Sequence, residues 1–430
     1  MKNLKVHPGG RYLETEDGAP FFWLGDTAWE LFHALTREEA EQYLQKRAEQ
    51  GFNVVQAVIL AEMDGLRTPN AYGRTPLRKN AAGQYDPLLW DEGGYSYWDH
   101  VGWILDKAGE YGIYLALLPT WGDKYQQAHG VGPEIFTPEN AGAYGEMVGR
   151  RFGDRDNLVW VLGGDRNLAA YADYRVNEVL ARGLARGEEK RHLTTLHPSG
   201  EQSGSRFFPG APWMDFYMIQ SGHGRRALPN YRFVEADWAL TPAKPVLDAE
   251  PRYEDHPVGF RPENGYFDAA DVRQAAYWAV FSGSLGITYG HHSVWRMNRE
   301  PSEYFPLAWQ EALERPAARQ MRLLKELVLS RPFWERRPAQ ELLAQNREGS
   351  NHMAACRGEG YAFCYTPNGL SVPVRLGLLG GKEIRAEWFP PRTGERIPAG
   401  SFPNAGVREF PAPSRGQGED WVLCLDGKEA

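Results

Sequence analysis

The chain has 430 residues, of which 42% are hydrophobic and 24% are charged, so it is longer than one hydrophobic core usually supports and too apolar to be disordered throughout. Its formal net charge of -8 argues against a nucleic-acid partner, because binding to phosphates needs a basic surface. No apolar run approaches the roughly 20 residues of a membrane-spanning helix, and the N-terminus has no apolar signal core. We therefore expect a soluble, cytoplasmic protein of two domains with no membrane partner.

Eight short apolar runs lie between Phe21 and His291, and they alternate with longer periodic segments, as in parallel strands joined by helices. The runs are FFWLGDTA, NVVQAVIL, IYLALLPTW, LVWVLGGD, HLTTLHP, MDFYMIQSG, PVLDAEP and GITYGHH. The clearest helix follows the first run, where Thr36 and Glu39 form a capping box and Gly51 ends the helix. Eight strand-helix units over about 270 residues predict an α/β fold, a (β/α)8 TIM barrel.

The pattern changes after a basic amphipathic stretch, PAARQMRLLKELVLSRPFWERRP, which predicts the last barrel helix. From Gln340 onward, short alternating runs separated by Gly, Pro and Asn turns predict a small β-sandwich. The predicted domains are thus a catalytic barrel over 1–337 and a C-terminal β-sandwich domain over 338–430. We expect the sandwich to pack against the barrel; carbohydrate binding through exposed aromatics such as Trp388 is the alternative.

Three cysteines lie in the last quarter of the chain, at Cys356, Cys364 and Cys424. Their odd number and the lack of paired CxxC spacing argue against both a disulfide framework and a zinc site. We expect buried thiols.

Polar and aromatic residues end the predicted strands, at the face where barrels of this kind carry their active sites. Aromatic residues form 13% of the chain, and flat aromatic faces suit sugar rings, although core packing accounts for most aromatics in most proteins. The candidate substrate-binding residues at these strand ends are Asp26, Trp29, Trp121, His197, Gln220, His223, Tyr253, His291, His292 and Trp295.

Two acids follow unbroken hydrophobic strands: Asp165 after VWVLGG and Glu250 after PVLDA. A pair of carboxyl groups of this kind is what glycoside hydrolysis uses, since one acid protonates the leaving oxygen while the other attacks the anomeric carbon or activates water. The alternative is structural, with each acid paired to the arginine that follows it, Arg166 or Arg252. Their joint occurrence on strands four and seven favours the catalytic interpretation.

A metal-dependent hydrolase would need clustered histidine ligands, and the sequence offers few. Adjacent residues of a strand, such as His291 and His292, point in divergent directions, and the first strand has no His-x-His. We predict no metal and no cofactor. The histidines are instead expected to donate hydrogen bonds to substrate hydroxyls.

The motifs WLGDTAWELF, PTWGDKY, VWVLGGDRN, HPSG, QSGHG, LDAEPRYE and YGHHSVW occur in this order over nearly the whole chain. They resemble those of the apiosidase-type glycoside hydrolases (glycoside hydrolase family 140-like), in which a barrel precedes a collagen-binding-type β-sandwich. The resemblance implies retaining chemistry on apiose-linked carbohydrate, with Asp165 as acid/base and Glu250 as nucleophile. Related barrels usually carry a Glu after Asn at the end of strand four; this chain has Asp after Gly164, and the apiosidase group shares that departure.

The sequence therefore leads to the hypothesis of a retaining β-glycosidase whose partner is a carbohydrate substrate. Asp26, His197, Gln220 and His223 would hold sugar hydroxyls, while Trp29, Trp121 and Trp295 would supply stacking faces. Three alternatives stay open: the same fold acting on an arabinoside, xyloside or glucoside, a carbohydrate-binding barrel without catalysis, and a metal-dependent hydrolase.

Overall fold

Eight parallel strands form the predicted barrel in a computed structural model that describes residues 1–428. They are β1 (Trp23–Thr27), β2 (Val54–Leu60), β3 (Tyr114–Thr120), β4 (Leu158–Arg166), β5 (Thr194–Pro198), β6 (Tyr217–Gln220), β7 (Val246–Asp248) and β8 (Gly286–Tyr289). Neighbouring strands pair in sequence order, and β8 closes onto β1. The sheet ends at β5 and β6, and the short strand Gln202–Ser203 pairs antiparallel with β6 at this gap.

Seven helices surround the strands. They are α1 (Arg37–Glu49), α2 (Tyr97–Glu110), α3 (Ala141–Phe152), α4 (Tyr171–Gly187), α5 (Tyr231–Trp238), α6 (Ala269–Phe281) and α7 (Pro316–Leu329). The predicted capping box of α1 is present, since Thr36 and Glu39 each receive the other's backbone N–H. None of the helices within 1–428 is long and apolar enough to cross a membrane.

One of the eight expected helices is absent, because β5 and β6 are joined by a loop whose helical content is one 3-10 turn, Gly204–Arg206. The linking sequence SGEQSGSRFFPGAP is rich in Gly, Ser and Pro, which disfavour a helix interior. Shorter elements complete this domain: the strands Leu4–Val6, Leu13–Thr15, Pro20–Phe21, Leu77–Lys79 and Tyr85–Trp90, and the one-turn helices Leu31–Ala34, His292–Trp295 and Trp309–Ala312.

Side chains alternate along each buried strand between the barrel interior and the helix layer. On β1, Trp23 packs with the interior cluster that includes Val54 and Met218, whereas Leu24 packs with the helix-side cluster that includes Val280 and Met321. This alternation decides which residues near a strand end face the mouth of the barrel.

The second domain is an antiparallel β-sandwich-type domain, as predicted, with no α-helix within its described residues. Its strands are β9 (Arg337–Pro338), β10 (Ala354–Arg357), β11 (Tyr361–Thr366), β12 (Val372–Arg375), β13 (Glu383–Phe389), β14 (Ile397–Pro403), β15 (Val407–Phe410) and β16 (Trp421–Lys428). Six of them form one sheet, and β12 pairs with β15 in the other. Cys356, Cys364 and Cys424 are buried thiols, as expected.

Trp388 is only 4% exposed and packs against Trp421, so it belongs to the sandwich core. The suggestion that it is an exposed sugar platform is therefore wrong. The sandwich also shares a core with the barrel: the rings of Tyr277 and Tyr365 stack with centroids 4.8 Å apart. Next to them, the Nε of Arg273 on α6 lies 2.8 Å from Oδ2 of Asp420.

Candidate active site

A cavity of about 380 Å³ opens at the C-terminal ends of the barrel strands and contains both predicted catalytic acids. Three larger surface clefts, of about 690, 790 and 840 Å³, contain neither acid. The aromatic wall of the cavity consists of Trp29, Trp121, Tyr253, Phe260, Trp295, Tyr304 and Phe305. Its polar lining consists of Glu62, His129, Asp165, Gln220, His223, Glu250, His256, His292 and Arg296.

Glu250 follows β7 and is held between two imidazoles. The Nε2 of His197 lies 2.8 Å from Oε2, and the Nε2 of His223 lies 3.0 Å from Oε1. Burial by itself would raise the pKa of Glu250, but the two imidazoles more than offset burial and hold that pKa well below its ordinary value. Glu250 is therefore a carboxylate at neutral pH, the form in which it can act as a nucleophile.

His197 connects the two acids. The backbone N–H of Asp165 donates to its Nδ1 at 3.4 Å, and its Nε2 lies 2.8 Å from Oε2 of Glu250. The ring lies edge-on to Trp29, with centroids 5.3 Å apart, and is fully buried. His197 was predicted to hold a sugar hydroxyl; instead it lies behind the cavity wall and acts on the site through Glu250.

Asp165 is directed into the cavity by an irregular end to β4. Gly163, Gly164 and Asp165 have φ values of +89°, +94° and +57°, in the left-handed region that glycine adopts most readily. A Cβ at Gly163 would lie 2.2 Å from the carbonyl oxygen of His197, so a larger residue does not fit there. The two glycines of the GGD motif thus allow the backbone conformation that places the carboxyl group of Asp165 in the cavity.

The carboxyl group of Asp165 contacts His129, whose Nε2 lies 2.8 Å from Oδ2. The Nη1 of Arg166 approaches the same nitrogen at 2.9 Å and donates to the Asp165 backbone oxygen at 2.7 Å. One imidazole nitrogen either donates or accepts, so protonated His129 pairs with Asp165 and neutral His129 accepts from Arg166. The contact with Asp165 is the main cause that raises the pKa of His129, with burial opposing it.

The structural alternative, in which a following arginine neutralises each acid, does not describe this site. Arg166 contacts the backbone of Asp165 and not its carboxyl group. Arg252 donates to Oε1 of Gln274 at 3.2 Å and makes no ion pair with Glu250 within residues 1–428. Both acids thus remain available to a ligand.

In addition to His223, six of the predicted binding residues line the cavity: Trp29, Trp121, Gln220, Tyr253, His292 and Trp295. Several of them present buried polar atoms without a hydrogen-bond partner in the described chain. These atoms are Trp121 Nε1, Gln220 Oε1, His223 Nδ1, Tyr253 Oη and His292 Nε2. An unpaired buried polar group costs about 1 to 3 kcal/mol, so a ligand rich in hydroxyl groups is stabilised here by satisfying them.

Two predicted binding residues, Asp26 and His291, lie outside the cavity, and those predictions are wrong. Asp26 points to the helix side of β1, where its Oδ2 accepts from Tyr43 Oη and from Arg47 Nε, each at 2.6 Å. The Nε2 of His291 lies 3.0 Å from Oδ2 of Asp255. Asp26 faces away from the cavity because successive side chains on β1 point to opposite faces. His291 lies beyond β8, where its Nδ1 accepts from the backbone N–H of Ser293 and caps the one-turn helix His292–Trp295.

Other cavity residues escaped the sequence analysis because they lie on loops without periodicity. They are Met63, His129, His256, Phe260, Arg296, Tyr304 and Phe305. The ring of His256 lies between His223 and His292, with centroids 4.3 Å from each. Burial, together with the neighbouring imidazoles, lowers the pKa of His292 to about 3, so His292 is neutral. Its Nδ1 accepts from Trp295 Nε1 at 3.4 Å, which leaves Nε2 as a hydrogen-bond donor. Glu62 also lines the cavity, and its position two residues after the end of β2 is a feature of the sequence that indicates this.

Within residues 1–428 no group of three or more His, Cys, Asp and Glu side chains is arranged to hold a metal ion. The cavity has instead the features that carbohydrate chemistry requires: two carboxyl groups in one pocket, aromatic faces, and unpaired hydrogen-bonding atoms. Together with the (β/α)8 barrel, these features define a glycoside hydrolase.

Comparison with known proteins agrees with this class. The model of the family described as "Apiosidase-like, catalytic domain" matches residues 7–335, and the chain belongs to that family. A second model, described as "Putative collagen-binding domain of a collagenase", matches residues 338–426. A search of curated proteins found no match.

Solved structures agree with the broader class, a glycoside hydrolase. The chain is similar to a glycoside hydrolase family 5 protein from Bacteroides vulgatus at 34% identity and a TM-score of 0.90, over 99% of this chain and 93% of that one. It is similar to another glycoside hydrolase at 33% identity and a TM-score of 0.87, over 99% and 97% of the two chains. An endo-1,4-beta-mannanase from Rhizomucor miehei, at 10% identity and a TM-score of 0.53 over 76% of this chain and all of that one, shares the fold.

Proposed function

We propose that this glycoside hydrolase is a retaining apiosidase that cleaves the β-glycosidic bond of an apiose-containing plant glycoside or oligosaccharide. One observation carries the proposal: the same cavity contains two acids, Glu250 and Asp165. Two imidazoles hold Glu250 in its ionised form. Membership of the apiosidase-like family supports apiose as the sugar.

The first step of the proposed reaction forms a covalent intermediate. An Oε of Glu250 attacks the anomeric carbon as the bond to the leaving oxygen breaks, and the proton of Asp165 passes to that oxygen. This step requires the two carboxyl groups to lie about 5 to 5.5 Å apart across the sugar. Asp is one methylene shorter than the Glu usual in related barrels, which suits a glycosidic oxygen that lies closer to the strand, as in a small furanose.

The second step reverses the roles. Asp165, now ionised, takes a proton from a water molecule, and the resulting hydroxide attacks the anomeric carbon and releases Glu250. His129, whose Nε2 lies 2.8 Å from Oδ2 of Asp165, is a second protonatable group beside the proposed acid/base.

The cavity lining would bind the sugar through two kinds of contact. Trp29, Trp121 and Trp295 offer aromatic faces to its C–H surfaces. Gln220, His223, Tyr253 and His292 offer unpaired polar atoms to its hydroxyl groups.

A panel of 4-nitrophenyl glycosides tests this assignment: the β-apioside, α-arabinoside, β-xyloside and β-glucoside at equal concentration. We expect the highest kcat/KM on the apioside, and no turnover of any member by Glu250→Gln. A higher kcat/KM on another member would replace apiose as the substrate. Binding of a sugar in a calorimeter without turnover of any glycoside would contradict catalysis altogether.

A further inference from the structure

A third carboxyl group, that of Glu62, faces the cavity and has no part in the mechanism above. Glu62 lies two residues beyond β2 and is half-buried. The backbone around it is fixed, since the N–H of Asp64 donates to its carbonyl oxygen at 2.7 Å and the N–H of Met63 donates to Oε1 of Glu30 at 3.2 Å. The side chain therefore enters the cavity from a defined position.

Neither carboxyl oxygen of Glu62 has a hydrogen-bond or ion-pair partner in residues 1–428. Other acids near the barrel mouth are satisfied within the protein. Asp123 lies 2.7 Å from Nζ of Lys124, and Asp248 accepts from Ser221 Oγ and Asn230 Nδ2, each at 2.8 Å. Glu62 is thus a strong hydrogen-bonding group left free inside a ligand cavity.

Burial and two nearby carboxylates favour the protonated form of Glu62, and Arg166 and His129 oppose it. Asp123 and Lys124 approach from the loop after β3, which also carries His129, and Asp165 and Arg166 approach from β4. Burial, reinforced by the negative charges of Asp165 and Asp123, raises the pKa of Glu62 to about 7. Near neutral pH a protonated carboxyl group both donates and accepts a hydrogen bond.

We propose that Glu62 binds the substrate on the leaving-group side of the cavity, by hydrogen bonding to a hydroxyl of the unit attached beside Asp165. The inference rests on the proposed function, because Asp165 marks the leaving-group side only if it is the general acid. The protein provides no hydrogen-bond partner for the carboxyl group of Glu62. A sugar hydroxyl can both donate to it and accept from it, so the bound substrate would supply the missing hydrogen bonds.

The test compares two substrates that carry the same glycone, the sugar that the wild type prefers. One is the 4-nitrophenyl glycoside of that sugar, whose leaving group has no hydroxyl beyond the glycosidic oxygen. The other is the disaccharide of that sugar with glucose. Glu62→Ala should lower kcat/KM on the disaccharide about tenfold, mainly through KM, and change it less than about threefold on the nitrophenyl glycoside. Glu62→Gln retains hydrogen-bonding capacity and should recover most of the loss on the disaccharide. Glu92→Ala, an exposed glutamate outside the cavity, is the control, and equal melting temperatures establish that the variants fold.

Each result decides the inference. Equal kcat/KM for Glu62→Ala and wild type on the disaccharide would overturn it while the proposed function stands, and so would equal losses on both substrates. A wild type that cleaves neither substrate would overturn the proposed function, and this inference with it.

Discussion

The imidazoles of His197 and His223 keep Glu250 ionised, since burial alone would favour its protonated form. The two imidazoles differ in their surroundings. His197 is oriented by the backbone of Asp165 behind the cavity wall, whereas His223 lines the cavity and has a free Nδ1. At the residue scale, the site is therefore a carboxylate fixed by one buried and one accessible histidine.

Replacing the nucleophile gives the first prediction. Glu250→Gln keeps the size of the side chain but removes its charge, so kcat should fall by at least about 10³-fold with the fold intact. Azide added to Glu250→Ala should restore turnover and give a glycosyl azide of inverted configuration, because azide attacks from the face that Glu250 occupied. Ordinary activity in Glu250→Gln, or no azide adduct from Glu250→Ala, would contradict the nucleophile assignment.

Removing His197 gives the second prediction. His197→Ala removes one of the two groups that hold the pKa of Glu250 low, so that pKa rises toward its ordinary value. Because Glu250 must be ionised to attack, the acid limb of the kcat/KM profile should move to higher pH. A pH profile measured beside the control His7→Ala checks this; an unmoved limb with reduced kcat would assign His197 a purely structural role.

Much of the cavity could be predicted from residues at strand ends, because barrel topology brings these ends together wherever they lie in the sequence. Asp165, Glu250 and the three tryptophans were found in this way. Asp26 was misplaced because a shift of one residue reverses the face of a strand, and hydrophobicity gives no warning on strands buried on both sides. His291 was misplaced because it lies beyond β8, where it caps a one-turn helix. His129 lies on an irregular loop, so no periodicity could have placed it.

At the scale of elements, the end of β4 determines where the second acid lies. Gly163 and Gly164 are residues of β4 with left-handed backbone, and the irregular turn that they form within the strand aims Asp165 at the cavity. A regular strand would instead place successive side chains on alternate faces. The sequence GGD signals such a turn, whereas the direction in which it aims the acid depends on β5, against which it packs.

This turn gives the third prediction. A Cβ at Gly164 would lie 2.7 Å from the backbone nitrogen of Gly122, so Gly164→Ala must displace the backbone beside Asp165. We expect kcat to fall at least about tenfold, as misplacement of a catalytic group does, along with a loss of stability. Gly73 also has positive φ but open surroundings, so Gly73→Ala should lose only about 1 to 2 kcal/mol of unfolding free energy and keep its kcat. Similar kcat values for the two variants would contradict the proposed role of the turn.

For the whole molecule, the two domains share a hydrophobic core and are not independent units joined by a flexible linker. Phe281 and Tyr277 of α6 stack on Phe363 and Tyr365 of β11, and the pair of Arg273 and Asp420 is buried beside them. The sequence indicated two domains from a change in periodicity, but the partners of α6 could not be predicted. A helix that is apolar on most of its surface only indicates that something covers it.

The shared core gives the fourth prediction. Arg273→Ala leaves Asp420 buried with fewer partners, which should lower the free energy of unfolding by about 3 to 5 kcal/mol. Arg385→Ala, an exposed arginine on β13, should change it by less than about 0.5 kcal/mol. Urea denaturation measures both; equal stabilities would show that the interface contributes little to the fold.

If Glu250 and Asp165 act together by double displacement, the product keeps the configuration of the substrate, so the stereochemistry of the product is the measurement to make. Cleavage of a β-apioside in the presence of methanol, followed by proton NMR, fixes the configuration before the free sugar can equilibrate. Double displacement predicts the methyl β-apioside, since two inversions restore the starting configuration. The methyl α-apioside would show a single displacement and contradict the assignment of Glu250 as nucleophile.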